Sequence, residues 1–196
     1  MSTPAPQREV RVKLLADANL RERSSRWLEE ARELIEAASD YFEREFGIRF
    51  VPSEISAWPN EERVVSTALF LKQIMQKIPL EDRQGRYDLL IGLTGARINP
   101  YLGKARVDRI GDCQEGLGNY VVSSVSTPFR TRGRDSEPEL DVLALIHELG
   151  HIFGAKHTKD TASIMNEDFD HRIGFDEENR DTVLKNKFCR FARSTE

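Results

Sequence analysis

Cysteine is scarce in this chain: two residues, Cys113 and Cys189, among 196. That excludes a disulfide-dense scaffold and a cysteine-rich metal knuckle, and leaves the redox compartment open. No apolar run approaches the roughly 20 residues that a membrane span requires, so no membrane span is expected. Basic charge is not in excess either. Lys and Arg total 29 against 33 Asp and Glu, a net charge of −4, which gives no argument for nucleic acid as a partner. The stretch Met1–Glu9 has no basic region followed by an apolar segment, so no signal peptide is expected. The compartment expected by default is the cytoplasm, or the outside of the cell if a leader has been removed. No room for an inhibitory pro-segment is expected ahead of the first strand. Repeats, low-complexity tracts and long linkers are missing as well. One domain over 1–196 is expected, long enough to bury a core and monomeric, with an upper part over about 8–157 and a smaller lower part over about 158–196.

What is present is an alternation of strand and helix patterns. Val10, Val12 and Leu14 alternate within Arg8–Leu15, as a strand requires. Ser24 or Ser25 can cap a helix to about Phe46, with Trp27, Leu28, Ala31, Leu34, Ile35, Ala38 and Phe42 at helical spacing and Gly47 as its stop. A strand follows near Ile48–Ile55. Pro59-Asn60-Glu61-Glu62 is expected to open a helix with Val64, Ala68, Leu71, Met75 and Ile78 inward, ended by Pro79. Tyr87–Leu93 is a near-continuous apolar run, the pattern of a strand covered on both faces. Leu102–Ile110 carries Lys104, Arg106, Asp108 and Arg109, which suits an exposed edge strand, and Asn119–Ser126 reads as an inner strand. Helices are expected over Glu137–Phe153 and Asp176–Phe188, the last capped by Asp176. The whole predicts an α/β (α+β) fold: a twisted five-stranded mixed sheet with one antiparallel edge strand, two long helices, a metal-bearing helix and a C-terminal helix.

The chemistry concentrates in residues 147–157, His-Glu-Leu-Gly-His-Ile-Phe-Gly-Ala-Lys-His. His147 and His151 are four apart on a helix, so they stack on one face and can share a metal. Glu148 lies beside them, rotated off the ligand direction, where it can reach a metal-bound water. Gly154 can adopt a positive φ, end the helix and reverse the chain. That reversal brings back His157, which a continuous helix would carry ~9 Å further along the axis. Three imidazoles suit Zn²⁺, one ion per chain, and leave its fourth position open, the mark of a catalytic site. Glu148 is then the general base and acid of peptide hydrolysis. A His-Glu-x-x-His match arises by chance in about 1% of chains of this length, and Gly154 with His157 cuts that by roughly another thousandfold. A solvated histidine face or a structural metal site are the competing readings; a structural site needs neither Glu148 nor an open position.

The string His147-Glu148-x-x-His151-x-x-Gly154-x-x-His157 resembles the metzincin zinc endopeptidases. Ser163-Ile164-Met165-Asn166 resembles their methionine turn, and Met165 lies eight residues past His157, a matrixin-like interval. Within that clan the chain is most similar to the adamalysin (reprolysin-like) group. Ile48–Trp58 resembles its second strand and Tyr87–Gly95 its third strand and Thr-Gly turn. Leu102, Gly103, Lys104 and Ala105 resemble the edge strand that holds an extended polypeptide substrate. The resemblance implies zinc-dependent cleavage of internal peptide bonds, with Met165 packed under the ligands. It also pairs Cys113 with Cys189; two separate thiols, or Cys113 as an inhibitory zinc ligand, remain alternatives. Thr158 stands where adamalysins have Asp, Glu167 where astacins have a tyrosine, and additional cysteines near the methionine turn are missing. Two other readings of function stay open: a silent peptide-binding module, and an aminopeptidase-like hydrolase of short peptides. His171 reads as a surface loop residue or as a wall of the pocket after the scissile bond, and Arg130–Arg134 as a solvated loop.

Overall fold

Nine residues, Arg8–Ala16, alternating in burial as far as Leu14 and buried from there on, form β1, and four further strands assemble around it: β2 (Ile48–Ala57), β3 (Leu89–Thr94), β4 (Ala105–Val107) and β5 (Tyr120–Ser124). The structure, a computed structural model, describes residues 7–59, 63–83, 85–98, 103–125, 140–168 and 174–192. The sheet order is β2-β1-β3-β5-β4; every neighbouring pair is parallel except β4 with β5. The expected five-stranded mixed sheet with an antiparallel edge is therefore present. β3 is the central strand, and all six of its residues are buried. Leu89, Ile91 and Leu93 point into the larger core and Leu90 into the smaller one, because successive side chains face opposite sides of the sheet.

Among the described residues the α-helices are α1 (Ala18–Arg23), α2 (Trp27–Phe46), α3 (Thr67–Lys77), α4 (Leu140–Ile152) and α5 (Glu177–Asn186). α2 and α4 share the larger core and α3 packs in the smaller one. Phe42 on α2 anchors an aromatic cluster, 5.2 Å from Phe50 and 6.4 Å from Phe153 between ring centroids. Phe153 sits one residue beyond α4, so burying it seats the end of that helix; a buried Phe is worth about 1.5–3 kcal/mol.

Several expectations shift. α2 starts at Trp27 behind Arg26 and has no side-chain cap, while Ser24 ends the short α1, which the sequence reading missed. Six residues are too few to show a helical period; the signal was the cap itself, with Asp17 accepting from Leu20 N at 2.8 Å. The same buried carboxylate accepts from Thr94 Oγ1 at 2.5 Å and Gly95 N at 3.0 Å, fixing the Thr-Gly turn after β3. α3 begins at Thr67, capped by Ser66. Residues 60–62, where its start was expected, lie outside the described residues. Its inward face is also rotated: Thr67, Phe70, Leu71 and Ile74 are buried, whereas Met75 is exposed. Gly92 explains the fit, since a Cβ there would stand 2.5 Å from Ile74 Cδ1. Leu28 of α2 is exposed rather than inward. The edge strand is reduced to three residues, with Gly103 and Lys104 leading into it and Leu102 outside the described residues.

Candidate metal centre

α4 is buried along nearly its whole length, so its placement is set by the core, and His147, Glu148 and His151 ride on its C-terminal half. The helix then ends within a tight set of bonds. Gly111 N donates to His151 O at 2.9 Å, Gly154 N to the same oxygen at 3.0 Å, and Asn186 Nδ2 to Phe153 O at 2.9 Å. These satisfy carbonyls that a helix end leaves without partners. Gly154 has φ +99°, and the chain reverses there. The capping loop is tied to the C-terminal segment by a disulfide between Cys113 and Cys189, whose Cα atoms are 5.2 Å apart. The bond closes a sequence separation of 76 residues, and an unstrained closure of that kind stabilises by about 2–4 kcal/mol.

Past the reversal, three imidazole nitrogens meet. His147 Nε2 lies 3.1 Å from His151 Nε2 and 3.2 Å from His157 Nε2, and the latter two are 3.1 Å apart. Each ring's other nitrogen faces an oxygen: His147 Nδ1 is 2.7 Å from Ile164 O, His151 Nδ1 is 2.6 Å from Ala155 O, and His157 Nδ1 is 2.8 Å from Glu167 Oε1. Those oxygens only accept, so a neutral ring places its proton on Nδ1 and turns a lone pair on Nε2 inward. Three acceptors then face one another with no donor among them, an arrangement that a cation resolves. Tetrahedral coordination with Zn–N of 2.0–2.1 Å separates nitrogens by about 3.3 Å, close to the spacing found. Burial lowers the pKa of His151, opposed by its bond to Ala155 O, and so favours the neutral form a metal needs.

Glu148 is one position after His147 and 9% exposed. Met165 is fully buried in the larger core, and Gly150, between the two helical histidines, makes room for it: a Cβ there would stand 2.8 Å from Met165 Sδ. The Met165 turn is anchored from below. Ser163 Oγ donates to Asp176 Oδ2 at 2.6 Å and accepts from Met165 N at 3.1 Å, while Ile164 N donates to Gly174 O at 2.8 Å. Asp176 also caps α5 through Asn179 N. This cap thus supports the very carbonyl, Ile164 O, that orients His147. His171, Arg130–Arg134 and Glu137–Glu139 lie outside the described residues.

Burial alone would raise the Asp176 carboxyl, but hydrogen bonds from Ser163 and Asn179 outweigh it and hold the pKa below its ordinary value. A depressed carboxylate contributes stability that is present above the unfolded pKa, about 3.9, and is lost as pH falls through the folded one. Asp176→Ala is therefore expected to cost about 1–3 kcal/mol at pH 7 through the lost cap and charge-assisted bonds. The gap from the parent should narrow below about pH 4. Urea unfolding of both proteins at the two pH values measures it.

The three histidines form a group that could hold a metal ion. The chain belongs to metallo-peptidase family M12, whose family model matches residues 6–194. The fold is shared with archaemetzincin from Methanopyrus kandleri, at 21% identity and TM-score 0.57 over 91% of this chain and 96% of that one. It is shared also with metalloproteinase-II from Bacteroides fragilis, at 12% identity and TM-score 0.62 over 95% of this chain and 55% of that one. No curated protein sequence matches the chain.

Proposed function

We propose that this protein is a zinc-dependent endopeptidase, built as a single catalytic domain over 1–196, with His147, His151 and His157 as the ligands of one Zn²⁺. The observation that carries the reading is the convergence of the three Nε2 atoms within 3.2 Å, each backed by an acceptor on Nδ1. When bound, zinc acts as a Lewis acid on water and on the scissile carbonyl, lowering the pKa of the water toward ~7. Glu148 handles the proton: its carboxylate accepts one from the attacking water and delivers it to the nitrogen of the departing amine. Met165 gives the ligands a packed floor, and Gly154 makes the turn that returns His157.

Substrate lies extended along β4. One edge of that strand pairs with β5, and among the described residues no strand pairs with the other, which would offer main-chain hydrogen bonds to a polypeptide. Thr67 Oγ1 donates to Gly103 O at 2.9 Å and Ser124 N to Lys104 O at 2.8 Å, holding the lead-in to the strand in place. Gly103, Lys104 and Ala105, with Leu102 before them, are the proposed substrate-binding edge. An open edge admits chain on both sides of the scissile bond and so favours internal cleavage over removal of terminal residues. Incubating the zinc-loaded protein with a peptide library and mapping the cuts by mass spectrometry tests this. Internal cuts support the reading; trimming from one terminus, or binding without any cut, contradicts it.

A further inference from the structure

The three histidines are not held alike. His147 and His151 are buried, and their Nδ1 atoms face backbone carbonyls fixed by the surrounding turns. His157 lies on the loop past Gly154 with its side chain 47% exposed, and its Nδ1 faces a carboxylate, Glu167 Oε1, at 2.8 Å. Glu167 is itself 74% exposed. An isolated exposed pair of this kind is worth little, because water screens the charges and two side chains must be ordered. Here, however, the backbone brings the two residues together. Thr158 N donates to Met165 O at 3.2 Å, and Asn166 Nδ2 donates to Thr158 O at 3.0 Å. Those two bonds cross-link the residue after His157 to the two residues before Glu167, so the contact is built into the loop pair.

We propose that Glu167 is a positioning residue of the metal centre: it orients the exposed His157 ring, fixes its Nδ1–H tautomer, and strengthens it as a ligand through its negative charge. The inference rests on the reading of His157 as a ligand. A neutral imidazole coordinates through Nε2 only if its proton sits on Nδ1, and the group bonded to Nδ1 decides that. Carboxylates in this role raise ligand basicity, and removing them commonly costs 10–100-fold in metal affinity. His147 and His151 have neutral carbonyls there, so Glu167 supplies the negative charge among the three described Nδ1 partners.

The test is zinc affinity of the apoprotein, measured by competition with a chromogenic chelator at fixed pH and salt, together with the visible spectrum of the cobalt-loaded protein. Glu167→Ala is expected to weaken zinc binding 10–100-fold and to change the cobalt spectrum, which a loss of folding stability alone would not do. Glu167→Gln keeps an acceptor oxygen without the charge and should recover part of the loss. Parental affinity and spectrum in Glu167→Ala overturn the proposal, as does a Gln variant no better than Ala with an unchanged spectrum. His157→Ala in the same titration separates the two levels. If it loses zinc while Glu167→Ala does not, the ligand reading stands and this inference falls; if it binds like the parent, both fall.

Discussion

Glu148→Gln is expected to lower kcat by ~10²–10⁴-fold while zinc content stays at the parental level. Gln keeps the shape and can still hydrogen-bond a water, but it cannot accept a proton. Glu148 follows His147 on α4, about 100° around the helix from it, so it stands off the direction in which His147 and His151 project. The core on both sides of α4 fixes that placement independently of the side-chain charge. Metal content and kcat measured on the same preparation give the discriminating pair. Activity lost with metal kept supports Glu148 as the proton carrier, and a fall smaller than tenfold contradicts it. Loss of both would make Glu148 part of metal binding instead.

Gly154→Val should disrupt the centre from the backbone. With φ at +99°, a β-branched residue there is strained, and a Cβ would stand 2.5 Å from Asn186 Nδ2 and 2.8 Å from Gly111 O. Asn186 would have to leave Phe153 O, and the loop carrying Gly111 would have to move off His151 O. The strain and the stranded polar groups together should cost about 2–5 kcal/mol. His157 would be displaced, and zinc affinity should fall with stability. Gly85→Val is the control: its φ is +73°, yet nothing lies within 4 Å of the added Cβ, so it carries the strain without the clash. Urea unfolding and zinc titration of the two variants should separate clearly; equal losses would contradict the account of the turn.

The strand–helix order was legible in the sequence because strong patterns carried it. Tyr87–Leu93 reads as covered on both sheet faces, and the strand found there, Leu89–Thr94, is buried throughout; the α2 stripe from Ala31 to Phe42 lies inward. What was not legible depended on local caps and packing phase. α1 is too short to show a period. In α3, Phe70 and Ile74 won the inward face over Ala68 and Met75 because Gly92 lets the helix approach the sheet on that side. The three histidines and Gly154 stand out as a spacing, since ligand geometry constrains residue identity. Their supports do not. Ile164 O and Ala155 O are backbone atoms that any residue supplies, so no side-chain pattern announces them. Glu167 could have been noticed as a carboxylate two residues past Met165, but only the fold brings it to His157. Asn186 and Gly111, which close the end of α4, come from opposite ends of one disulfide-tied region and share no local motif.

Whether three imidazoles hold one metal ion is decided by elemental analysis and zinc titration of the parent beside His147→Ala, His151→Ala and His157→Ala. Because only neutral imidazoles bind, parental affinity should also weaken as pH falls through the histidine range. One zinc per parent chain is expected, with a severe loss in each variant and activity lost alongside. A parent that neither retains zinc nor binds it on titration, or a His151→Ala variant that keeps a full equivalent at parental affinity, would contradict it.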